Sequence, residues 1–223
     1  MSTLGNNLFA QYYAQNKNNP IIRDGLILYI PMDNHRDYAY TGQQITYMNG
    51  DVGVYGKYKG IPCRTVSNAA TTHRLEIDVD NIPIGNAPRT FTFWYCRHSI
   101  SSGVTLGGYG DFLYAKRWSM CEQIQSINLV LTQHVNPSRS FKPQQDTWVF
   151  LAFTYDGSIC KIYGNGNQLV SSLENLNTSK TIFSIMGSDI LITDYRMSGV
   201  RVYNRVLSQN EITRLYQEFT PTP

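Results

Sequence analysis

Apolar residues in this chain come in short runs. From Gly25 onward the runs are rich in β-branched and aromatic residues and are separated by turn residues. They span Gly25 to Ile30, Arg74 to Val79, Thr90 to Cys96, Phe112 to Trp118, Ser126 to Thr132, Trp148 to Tyr155, Ile159 to Gly164, Gln168 to Ser171, Thr181 to Met186 and Val200 to Tyr203. Ten short strands with almost no helical periodicity predict an all-β sandwich or barrel. One run, Trp148-Val149-Phe150-Leu151-Ala152-Phe153, is apolar at every position rather than at alternate ones. Such a strand has to be covered on both faces, which predicts that it lies in the middle of the core.

Two dipeptides fix part of the topology. Asp156-Gly157 and Asn165-Gly166 flank the run Ile159 to Gly164, and both are favoured in type I′ hairpins because their residues tolerate positive φ. Three consecutive antiparallel strands follow. One helix is well signalled: Ser208-Gln209-Asn210-Glu211 has the spacing of a capping box, and Ile212, Leu215, Tyr216 and Phe219 form one apolar stripe that must dock on a sheet. Residues 1 to 24 are rich in Asn and Gln without sustained periodicity and read as an arm. The domain is expected over residues 25–219, with a tail over 220–223.

Composition narrows the partners. Nineteen basic and sixteen acidic residues give a net charge of only +3, spread along the chain, whereas nucleic acid needs a basic stripe. No apolar stretch approaches the roughly 18 residues of a membrane span, and the segment Met1 to Asn7 has no secretory signature. Neither nucleic acid nor a membrane is expected as a partner. The cysteines Cys63, Cys96, Cys121 and Cys160 form no C-x-x-C pair and are expected as buried or partly exposed free thiols. Low charge together with 16 tyrosines describes a surface suited to contact with other proteins.

Longer motifs then carry a resemblance. Thr147 to Gly157, continued by Lys161-Ile162-Tyr163-Gly164-Asn165-Gly166, is similar to the tryptophan strand, Y-D-G hairpin and Y-x-N-G turn of the laminin-G-like, concanavalin A-like jelly rolls. Val200 to Ser208 with Glu211, Ile212, Leu215 and Tyr216 resembles that family's closing strand and terminal helix. Gly25 to Asp33 resembles its first strand, and Phe91-Thr92-Phe93-Trp94 its inner strand. The resemblance implies a two-sheet antiparallel jelly-roll sandwich with one short C-terminal helix. A departure is Ser198, where many members carry an Asp before the closing strand. Some relatives bind calcium near loop carboxylates, and Asp33 and Asp37 are the candidates here, equally suited to capping turns.

Three sets of residues invite chemistry. Glu76-Ile77-Asp78-Val79-Asp80 resembles the E-x-D-x-E strand of laminarinase- and lichenase-type glycosidases, with Asp80 one methylene short of the third acid. The other reading puts Glu76 and Asp78 on a solvated face with Leu75, Ile77 and Val79 inward. Tyr109, Tyr114 and Trp118 either stack on a sugar or a partner, or pack in the core. Gly107-Gly108-Tyr109-Gly110 lacks the ending of a phosphate loop and is expected to turn the chain between strands. Tyr12 and Tyr13 in the arm dock either on their own domain or on a neighbouring subunit.

The leading expectation is a non-enzymatic structural or decorating subunit of a large assembly such as a virus or phage particle. It would contact other subunits, including copies of itself, and surface glycans, with no cofactor. The alternatives are an extracellular carbohydrate-binding adhesion module and a glycoside hydrolase using Glu76 and Asp80.

Overall fold

The computed structural model describes residues 22–32, 45–47, 53–67, 73–100, 104–111, 116–123, 126–130, 135–188 and 193–218. Their strands, in chain order, are β1 Leu26–Ile30, β2 Ile45–Tyr47, β3 Val54–Tyr58, β4 Ile61–Val66, β5 His73–Ile77, β6 Arg89–Ile100, β7 Val104–Gly110, β8 Arg117–Gln123, β9 Ser126–Val130, β10 Val135–Phe141, β11 Trp148–Tyr155, β12 Ile159–Gly164, β13 Asn167–Leu173, β14 Phe183–Ser188 and β15 Thr193–Tyr203. One helix, α1, spans Gln209–Gln217. The strands form two antiparallel sheets. The larger has the order β13-β12-β11-β6-β15-β4-β3, with β1 also paired to β15, and the smaller has the order β10-β9-β8-β7-β14-β5-β2.

Pleating explains how the hydrophobic pattern places these strands. Val149, Leu151, Phe153 and Tyr155 of β11 point into the core between the sheets, while Trp148, Phe150 and Ala152 point to the opposite face. The neighbouring β6 divides in the same way, with Phe91, Phe93 and Tyr95 inward and Trp94 and Cys96 outward. On that outer face α1 lays Ile212, Leu215 and Tyr216 over Trp94 and Phe150. The all-apolar run is therefore covered by the second sheet on one side and by the helix side on the other. Along β15 the alternation slips at Gly199, whose φ is +57°, so Tyr195 and Met197 before it and Val200 and Val202 after it all face inward.

Local signals settle the ends. Ser208 Oγ accepts from the Glu211 N–H and the Glu211 carboxylate accepts from the Ser208 N–H at 2.7 Å, closing the capping box. Asn165 and Gly166 both have positive φ in a two-residue turn between β12 and β13. The Asp156-Gly157 turn differs from expectation. Only Gly157 is left-handed there, and Asp156 Oδ1 instead accepts from the Ser158 and Ile159 N–H groups, an Asx-type turn closing a longer loop.

The glycine run also departs from expectation, because Gly107 to Gly110 belongs to β7 rather than to a turn. A Cβ on Gly107 would collide with the Phe91 ring, and one on Gly108 with Ser119. The glycines let neighbouring strands and rings pack close. All four cysteines are buried free thiols.

Candidate functional site

The acidic motif sits near one edge of the smaller sheet, where β5 lies between β14 and β2. Leu75, Ile77 and Val79 are buried in the inter-sheet core, whereas Asp78 and Asp80 are exposed. The strand ends at Ile77, so Asp78 and Asp80 lie beyond it instead of completing a row of three acids. Glu76 is held at 2.7 Å by Arg74 on its own strand. A retaining glycosidase needs two carboxyls facing each other across a bond to be cleaved, and this segment gives one ion-paired acid and two solvated ones.

The aromatic candidates are corrected by burial. Trp118 has no exposed surface and stacks on Phe153 at 4.6 Å between ring centres. Tyr109 is buried at 3% exposure, with its hydroxyl bonded to the Pro83 carbonyl and approached by Arg89 at 2.6 Å. Arg89 in turn donates to the carbonyls of Pro83, Gly85 and Ala87, and its guanidinium sits over the rings of Tyr109, Trp118 and Tyr155. These rings pack around a buried cation, stabilising it through their π faces, and offer no face to a ligand. Tyr114, Tyr12, Tyr13, Asp33 and Asp37 lie outside the described residues. Among the described residues no group of three or more His, Cys, Asp or Glu is placed to hold a metal ion, and no helix is long and apolar enough to cross a membrane.

A different constellation is assembled by the fold on the outer face of the larger sheet, beyond the part covered by α1. Asp146, in the loop before β11, places Oδ1 2.7 Å from Nδ1 of His98 on β6, 3.4 Å from the Tyr58 hydroxyl of β3 and 3.9 Å from Nη1 of Arg196 on β15. Arg196 lies across the Tyr58 ring at 3.8 Å, and the Trp148 indole donates to the Tyr58 carbonyl at 3.2 Å. Lys59 donates to the Asp146 carbonyl at 2.8 Å. The hydrogen bond from His98, with help from Arg196 and Tyr58, holds the Asp146 carboxyl below the usual carboxylate range.

Two backbones in this patch are unusual. Asp146 has φ +54° and Lys59 φ +49°, in the left-handed region that side chains with a Cβ rarely occupy. Asp146 is kept there by its N–H bond to the Arg97 carbonyl at 2.7 Å. The patch was invisible in the sequence, because its residues come from four strands, the β3–β4 turn and a loop and are joined only by the β3-β4-β15-β6-β11 order.

Directly through the sheet lies a buried polar cluster. Glu122 of β8 accepts a short hydrogen bond from the Tyr95 hydroxyl and faces Arg97 Nε at 3.6 Å. Arg97 also donates to the Pro143 carbonyl at 3.1 Å. Burial pushes the Glu122 carboxyl up to about 7. Beneath the patch Cys96 is fully buried, and burial pushes its thiol up to about 11, so it is no nucleophile at neutral pH.

Known proteins place this architecture. The binding domain of botulinum neurotoxin serotype D superposes with a TM-score of 0.69 over 88% of this chain and 52% of that one, at 15% identity. The binding domain of Paraclostridial Mosquitocidal Protein 1 gives 0.68 over 87% and 52%, at 13% identity. The chain thus spans about half the length of these structures, and they share its fold. In sequence, 68 residues are 38% identical to human pappalysin-1, covering 28% of this chain and 4% of that protein. The pattern of the concanavalin A-like lectin/glucanases superfamily matches residues 76–213, more than half of the chain, and the protein belongs to that superfamily.

Proposed function

We propose that this chain is a non-enzymatic recognition module that holds its partner at the Asp146 patch and serves as a subunit decorating a larger particle such as a virion. The observation that supports it most is the patch itself. Charged and aromatic groups from separate elements meet on a face that reaches solvent, with His98 45% and Asp146 35% exposed. The acid there is held by a histidine and faced by an arginine, so its charge is engaged in contacts of the kind that grip a partner.

Two structural neighbours suggest the partner classes. One is described in complex with N-acetylneuraminic acid and another with rat synaptotagmin II, a glycan and a protein. The particle role is supported by the low charge, the 16 tyrosines and exposed apolar side chains such as Leu173, Val54 and Ile182. The test joins native mass measurement with a glycan array. The expected result is a complex larger than the 25.4 kDa chain and retention of at least one glycan class. A monodisperse monomer that retains neither glycan nor protein partner overturns the proposal.

A further inference from the structure

Resting on that recognition reading, we infer that the Asp146 patch is a binding site for an acidic sugar, a glycan residue that presents a carboxylate beside free hydroxyls. Charge gives the first argument. Arg196 faces the Asp146 carboxylate and Lys59 is held at the Asp146 backbone carbonyl, so among the described residues of the patch two cations stand beside one carboxylate, a positive surplus that a neutral ligand would leave unused.

Unused hydrogen-bonding capacity gives the second. His98, Tyr58 and Arg196 all converge on Oδ1 of Asp146, which leaves Oδ2 without a partner among the described residues. His98 likewise spends Nδ1 on Asp146 and keeps Nε2 free among them. Oδ2 accepts from a sugar hydroxyl, and the Lys59 ammonium and Arg196 guanidinium answer the ligand's carboxylate. An anion alone would be repelled by Asp146, and a neutral sugar would not use the cations. Only a ligand with both groups uses the whole patch.

Backbone geometry gives the third. Lys59 and Asp146 are two of the five non-glycine residues with positive φ among the described ones, and they are bonded to each other. Lys59 precedes Gly60 in the two-residue turn joining β3 to β4, where glycine or asparagine would be the comfortable choice. Lysine and aspartate at these two left-handed positions hold two charges side by side at the cost of backbone strain.

The experiment titrates sialyllactose, and lactose as the neutral control, into the full chain while chemical shifts or heat are followed. Sialyllactose is expected to bind and lactose not to bind, with binding weakened by added salt. Lys59→Gly suits the turn better than lysine, so its melting temperature should hold or rise while affinity for sialyllactose falls about tenfold, the expected loss for one charge-assisted hydrogen bond. Asp146→Asn should weaken sialyllactose binding as well. Equal binding of lactose and sialyllactose, or sialyllactose affinity unchanged in Lys59→Gly, overturns the inference. A glycan array that retains only neutral sugars also overturns it while leaving the recognition reading intact, whereas no retention of any partner removes both.

Discussion

Glu122 illustrates what a single buried side chain does to the whole balance. Its carboxyl, ordinarily near 4.5, is raised by burial to about 7, so the folded protein holds that proton more tightly than the unfolded chain does. Its stabilising contribution is therefore complete below 4.5 and is lost as pH rises through about 7, on the order of 3 kcal/mol in full. Glu211 works in the opposite sense. The Arg205 guanidinium holds its carboxyl at about 2, so its contribution is present above 4.5 and disappears on acidification toward 2. Melting temperatures measured from about pH 4.5 to 7 should decline for the native protein, and Glu122→Gln should flatten that decline. A second test at this scale concerns Trp118, buried against Phe153. Trp118→Ala should cost about 3–5 kcal/mol in denaturant unfolding and leave the proposed sugar binding of the folded fraction unchanged, since the ring is buried in the inter-sheet core.

Among the elements, α1 and the β12–β13 hairpin are joined. Gln209 bonds the Gly166 carbonyl, and Asn165 Oδ1 accepts from the Phe150 N–H at 2.9 Å. Ser208→Ala removes the capping hydroxyl from this junction, and a loss of about 1 kcal/mol in unfolding free energy is expected. These elements were also the most legible in the sequence. A capping box and an Asn-Gly pair act within four residues, so local chemistry alone decides them. The all-apolar β11 was legible for a related reason, because no half-exposed strand tolerates Trp148, Phe150 and Phe153 together. By contrast β3 and β4 went unread. Val54 to Tyr58 is mostly exposed, and Pro62 and Arg64 interrupt β4, so neither shows a clean alternation. With those strands unread, Tyr58 and Lys59 had no place, and a site that needs them beside His98, Asp146 and Arg196 could not be assembled from spacing.

At the scale of the whole molecule one continuous apolar core lies between the sheets, drawing Ile30 from the first strand and Val202 from the last. The chain ends of the domain are tied by charge: Arg205 pairs with Asp24 at 2.8 Å, and Arg201 with Glu218 at 2.8 Å. A single core of this kind predicts that near- and far-ultraviolet dichroism lose signal in one coincident thermal transition; two separated transitions would show that the sheets unfold independently. The same architecture has a price during synthesis. β11 is covered in the finished molecule on one face by the smaller sheet and on the other by a helix more than fifty residues later in the chain. Until that helix arrives, the outer face of Trp148 to Phe153 is bare, and the run is an uncharged, proline-free stretch with the composition of an aggregation nucleus. Refolding yield should therefore fall steeply with protein concentration, because bimolecular sticking of this one strand competes with slow closure of distant contacts.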